Sequence, residues 1–198
     1  MEQGNRHEQV FSSSHKEETS ERVIKSILRG PDEASACLLW SVIPGGIALL
    51  GVILSFPFSR GSTQIASSDP NAKPIIDTQF FANSMDIEIL ARHVQNLHKL
   101  TMFPALQSVI QPTEVPQDME VIEEMLRESA VLTTHRTCGT VAMLPQQVGG
   151  VADQDLRVYG TKVLRVVGAS IFLLTPHANL MMTMYAVAEK TADVIQSS

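Results

Sequence analysis

The chain has 198 residues, of which 44% are hydrophobic and 18% charged, and its formal net charge is −6 from 15 basic and 21 acidic side chains. That length supports one sizeable core, and the composition is that of a globular protein rather than a disordered one. The acidic balance, with no basic stripe interleaved with aromatics, argues against nucleic-acid binding, and the two distant cysteines, Cys37 and Cys138, match no zinc-site, redox-pair or disulfide-framework spacing.

In chain order, residues 1–18 read as a loose arm rich in Ser, Glu and His. Met1 to Arg22 has no basic start followed by an apolar core, so no secretory signal is expected and the cytoplasm is the default location. A short amphipathic helix is expected from Glu21 to Leu28, with Val23, Ile24, Ile27 and Leu28 on one face and Gly30-Pro31-Asp32 ending it. Ala34 to Ser59 then carries no charged residue and is long enough to span a bilayer. Pro44-Gly45-Gly46 in its middle breaks a helix but suits a turn feeding a strand, so a membrane span is not the expected outcome. Instead, Ile47 to Phe56 reads as a strand buried on both faces.

A second strand is expected over Phe58 to Ile65, closed by the turn cluster Ser67-Ser68-Asp69-Pro70, and Pro74 to Asp77 reads as a short extended piece. Ser84 or Asp86 is placed to cap a helix on which Ile87, Leu90, Ala91, Val94, Leu97 and His98 recur at helical spacing. Asp118 starts another helix, with Ile122, Met125 and Leu126 inward and Glu120, Glu123, Glu124 and Arg127 outward. Val158 to Leu174 alternates apolar runs with Gly160 and Gly168, which reads as turns and strands, and a last helix is expected from about Asn179 to Ile195. The pattern is α+β.

Three ordered stretches carry a resemblance. The first is Pro57-Phe58-Ser59-Arg60-Gly61-Ser62, then Ser68-Asp69-Pro70, then Pro74-Ile75-Ile76-Asp77. The second is Gly139 to Met143, Gly149 to Asp153 and Leu156 to Gly160. The third is Leu164 to Ser170, Asn179, and Tyr185 to Lys190. Together, over roughly residues 30–196, they resemble the C-terminal part of fungal glucose–methanol–choline (GMC) oxidoreductases. The resemblance implies a mainly antiparallel substrate-domain sheet with flanking helices, plus the C-terminal strand and helix of a flavin-binding domain. It divides the chain into a disordered arm (1–20), a substrate-domain-like part (21–145) and a C-terminal piece of the FAD-domain and active-site region (146–198).

It also implies FAD as cofactor, a small-molecule alcohol as substrate, and oxidation of a CH–OH group to a carbonyl with hydride passing to the flavin. In fungi such enzymes serve the oxidation of small or aromatic alcohols, sugars or secondary-metabolite intermediates. The family's histidine base lies three residues before the Gly-Thr pair; counting back from Gly139 gives Arg136, with His135 one residue earlier. A guanidinium stays protonated and cannot be a base. His135 is therefore the candidate base, although one residue of slip on a strand reverses its face; Arg136 is a candidate for holding an anion. The second site position falls on Asn179, as substrate-binding amide, helix cap or both, and His177 is a substitute base. Ala169, Leu180 and Met181 match positions near the flavin, where the helix N-terminus offers free N–H groups and positive charge.

Two departures accompany these matches. Gly168 stands where the family carries an acidic residue, and no Gly-x-Gly-x-x-Gly turn cradles the ADP half of FAD, so the N-terminal dinucleotide-binding unit is expected to be absent. Two readings stay open: an FAD-dependent alcohol oxidoreductase present as a C-terminal fragment or split chain with a partner chain supplying the FAD-binding half, or a truncated non-catalytic remnant.

Overall fold

The computed structural model describes residues 18–111, 114–129, 137–177 and 180–197. Helix α1 runs over 18–28 and buries Ser20 and Ile24. Strands β1 (Ala36–Ile43) and β2 (Ile47–Leu54) pair antiparallel, Ala36 opposite Leu54 and Ile43 opposite Ile47. Pro44-Gly45-Gly46 closes this hairpin. Both glycines take positive φ, 96° and 76°, a conformation that side chains with a Cβ resist. The turn is thus where the sequence places it.

The expectation of a strand buried on both faces is corrected. Trp40 and Val42 stand 48% and 78% exposed on one face, and Leu39 and Leu49 are exposed on the other. The physical reason is layer number: the sheet has two strands, and α2 is the helix that packs on it. The antiparallel pairing that the resemblance implies is present, but it is divided between two small sheets. β3 (Ser62–Gln64) pairs antiparallel with β4 (Ile75–Asp77) in a second, separate two-stranded sheet. The chain between β2 and β3 cannot prolong the first ladder, because the N–H groups of Phe58 and Ser59 are taken by the Asp86 carboxylate.

Helix α2 (Ser84–Thr101) is capped by Asn83, whose side chain accepts from the Met85 N–H at 3.0 Å. Neither Ser84 nor Asp86 is the cap. A single helical turn, α3 (Pro104–Gln107), follows, and then α4 (Met119–Ser129), whose first turn is capped by Asp118 accepting from the Glu120 N–H. The apolar stripes of α2 and α4 meet as their spacing requires: Ile87 and Ala91 pack on Ile122 and Leu126, with Leu90, Val94 and Met125 around them. Residues 137–177 are mostly irregular, with 3-10 turns at Gln146–Val148 and Ala169–Ile171, and α5 (Leu180–Gln196) ends the described chain. No helix among the described residues is long and apolar enough to cross a membrane.

Candidate active site

The second and third family-like stretches are stitched together by backbone hydrogen bonds. The N–H groups of Gly139, Val141 and Met143 donate to the carbonyls of Ala169, Ser170 and Ile171 at 3.2, 2.8 and 2.8 Å. On the other side of this strip, the Val151 N–H donates to the Ala142 carbonyl at 3.0 Å, and Tyr159 in turn donates to Val151. Gly139 takes a positive φ of 88° and residues 140–141 form a turn, so the strip is held by these individual bonds and not by a regular strand ladder. The result brings Ala169 beside the Gly139-Thr140 pair, 30 residues away in sequence.

Ala169 begins the 3-10 turn that precedes the approach to α5. Leu180 is the first residue of α5 and is buried, whereas Met181 beside it is exposed. The first turn of α5 contains no acidic residue of its own, and a helix start offers N–H groups without intrahelical acceptors and a positive dipole end. His135, Arg136 and Asn179 lie outside the described residues. Gly168 adopts φ 155° and ψ −179°, a region open essentially to glycine alone.

His177 is tied within the chain at both ring nitrogens: Nδ1 to the Ser55 hydroxyl at 3.2 Å and Nε2 to the Glu33 carboxylate at 3.4 Å. Its ring also meets Phe56 edge to face, with centroids 4.5 Å apart.

The first family-like stretch is held elsewhere. Asp86, only 2% exposed, accepts from the Phe58 N–H through one carboxylate oxygen and from the Ser59 N–H through the other, both at 2.7 Å. The Ser59 hydroxyl accepts from the Asn83 N–H at 3.0 Å, and Arg60 turns back to donate to the carbonyls of Pro57 and Ser59. A cleft of ≈ 480 Å³ opens here between Glu21, Arg60 and Ser84. None of Ala169, Leu180 and Met181 lines it, so it is a feature of the loop–α2 junction and not the candidate site.

Three ties escaped sequence reasoning. Asp86 reads as a helix-dipole residue until its loop partners are seen. The His177 cluster joins residues 122 and 144 positions apart, and His93 Nε2 meets the Ser35 hydroxyl at 2.7 Å across 58 positions. The redundancy of acceptors at Asn83, Ser84 and Asp86, three for one helix start, was the one local signal.

The fold and its stitched motifs define a mixed helical and antiparallel unit of a kind found inside larger oxidoreductases. Residues 57–188 match the family model described as GMC oxidoreductase. The GMC oxidoreductase family protein Mala s 12 of Malassezia sympodialis is 37% identical over 162 residues, 80% of this chain and 26% of that protein. Pyranose dehydrogenase 3 of Leucoagaricus meleagris is 34% identical over 160 residues, 78% of this chain and 26% of that one. Among solved structures, a fungal aryl-alcohol oxidase superposes with a TM-score of 0.80 at 35% identity, covering 90% of this chain and 30% of its own. An FAD-dependent oxidoreductase from Chaetomium thermophilum gives 0.83 at 26% identity, covering 92% and 32%. The chain belongs to the GMC oxidoreductase family. It spans about a quarter of the length of the curated relatives it matches.

Proposed function

We propose that this chain forms the active-site end of an FAD-dependent oxidoreductase that oxidises a CH–OH group to a carbonyl. The observation that carries the reading is the stitching of Gly139–Met143 onto Ala169–Ile171, in the segment that leads towards α5, whose first turn carries no acidic residue. That arrangement fits the ring end of a flavin: Ala169, Leu180 and Met181 would lie along it, and the first-turn N–H groups of α5 favour an electron-rich ring. When bound, FAD supplies the hydride acceptor. His135 is then the base that takes the hydroxyl proton, a role suited to imidazole near neutral pH. Asn179 donates its amide N–H to the substrate oxygen.

In this proposal residues 21–145 correspond to the substrate-facing part and 146–198 to the flavin-facing part. The ADP half of FAD is cradled by polypeptide outside these 198 residues, on the same or a separate chain. The names of the relatives, a pyranose dehydrogenase and an aryl-alcohol oxidase, support a sugar or aromatic alcohol as the substrate class. One observation favours a second reading, a non-catalytic remnant: Gly168 occupies the acidic position in a backbone conformation that a side chain resists.

The test is co-expression of this chain with the dinucleotide-binding part of a close family member. The proposal expects a yellow complex whose flavin is bleached anaerobically by an alcohol, with His135→Ala slowing bleaching by about 10² or more. A complex that binds flavin but is never reduced by sugar or aromatic alcohols establishes the remnant instead.

A further inference from the structure

The tie at His177 has consequences for the start of α5. Glu33 follows α1, Ser55 and Phe56 directly follow β2, and His177 lies three residues before Leu180. Three residues of chain reach at most about 11 Å. Anchoring His177 therefore confines where α5 can begin. The three contacts differ in character. The Glu33 carboxylate and the imidazole are each about half exposed, so their attraction is screened by solvent. Ser55 is 4% exposed and Phe56 is also buried, so the hydroxyl bond and the ring contact are shielded.

Ser55 is itself fixed, since its N–H donates to the Ser35 carbonyl at 2.9 Å and the Ser35 hydroxyl meets His93 on α2. An unbroken set of contacts thus runs from α2 through the foot of the hairpin to the residue that leads into α5. The Ser–His–Glu order has the composition of a hydrolytic triad, but a serine hydroxyl this buried offers no surface to a substrate, so its role is to hold rather than to attack.

We propose that His177 is a positioning residue, which clamps the first turn of α5 to the base of the β1–β2 hairpin through Ser55 and Phe56. Its bearing on catalysis rests on the proposed flavin-facing role of α5; the clamp itself does not. The first four N–H groups of a helix lack intrahelical acceptors. The informative amides are therefore those of Met184 to Ala188, whose i→i−4 bonds end on the carbonyls of Leu180 to Met184 at the start of the helix.

Hydrogen exchange on the purified full chain, without flavin, measures the clamp directly. His177→Phe keeps a ring against Phe56 but removes both hydrogen bonds, and it should speed exchange at Met184 to Ala188 by about tenfold. His177→Asn places an amide where Nδ1 lies and should restore protection to within about threefold of the wild type. Ser55→Ala should reproduce the Phe variant. Amides of the Ile87, Ala91 and Ile122 core should not change in any of them. Wild-type exchange in both His177→Phe and Ser55→Ala overturns the clamp. So does faster exchange throughout the core, which would make the histidine a general stability element, and so does a failure of asparagine to rescue. Because no flavin is present, these outcomes are independent of whether the co-expressed complex binds or reduces FAD.

Discussion

Asp86 shows how one side chain can set the course of a chain. Its two carboxylate oxygens each receive a backbone N–H at 2.7 Å from consecutive residues, and the group is buried. Hydrogen bonds to an ionised acceptor are shorter and stronger than neutral ones. Removing the acceptor leaves two part-buried donors unpaired as well as losing the bonds. Asp86→Ala should therefore lower unfolding free energy by about 3 kcal/mol, and Asp86→Asn, which keeps an acceptor on one side, should lose about half as much. Urea melts of the three proteins decide this: equal midpoints for wild type and Asp86→Ala would show that water replaces the carboxylate. The sequence shows an acid in a first helical turn, a position that the helix dipole explains completely. Nothing in residues 84–90 announces that the acceptor is spent on a loop 27 residues earlier. Gly168 was likewise visible only as a missing carboxylate, whereas its φ of 155° makes it a backbone requirement of the present loop.

Among the elements, the helices were the more legible. The stripes on α2 and α4 predict their own contact, because a face wide enough to be buried must find another such face, and Ile87, Ala91, Ile122 and Leu126 do so. The strands were less so. An uncharged run with a Pro-Gly-Gly turn fixes a hairpin, but how many neighbours cover it is decided by distant chain. The junction between α2 and the hairpin carries a pH-dependent tie of the same non-local kind. His93 on α2 meets Ser35 just before β1, and burial pushes its imidazole below the ordinary value of 6.5. The folded state therefore binds fewer protons than the unfolded state below that pH. The His93 contribution is complete above pH 6.5 and is lost as pH falls through the depressed folded value. Denaturant midpoints should drop on acidification from neutral to below about pH 6. His93→Gln, which retains a polar group at the Nε2 position without titrating, should show a smaller drop. A wild-type and variant pair with the same pH slope would remove His93 from the effect.

At the scale of the molecule, surface area is the informative quantity. The 21.7 kDa chain exposes 14084 Å², where a folded monomer of that mass has about 9,200 Å². Even with every residue outside the described part counted as fully extended, an excess of about 1,300 Å² is left. That is the scale of one side of a substantial protein interface, about 1,000 Å². The excess has an address in the hairpin, where Trp40, Val42, Leu39 and Leu49 stand exposed on two faces of a sheet whose edges pair with no further strand among the described residues. A long uncharged edge of this kind pairs with whatever strand is offered. With the chain spanning about a quarter of its relatives, the occupant proposed for that surface is the remainder of the family fold. In the absence of that remainder, a second copy is the expected occupant. Light scattering should then find the wild-type chain in oligomers or aggregates. Val42→Lys with Leu49→Lys puts a charge on each face of the hairpin and should yield monomer, while the Ile87–Ile122 core melts as before. The same double variant should fail to assemble with the co-expressed dinucleotide-binding part, because the charges that block self-pairing equally block the intended neighbour. A wild-type chain that is monomeric at high concentration would place the excess area elsewhere than in a partner-seeking hairpin.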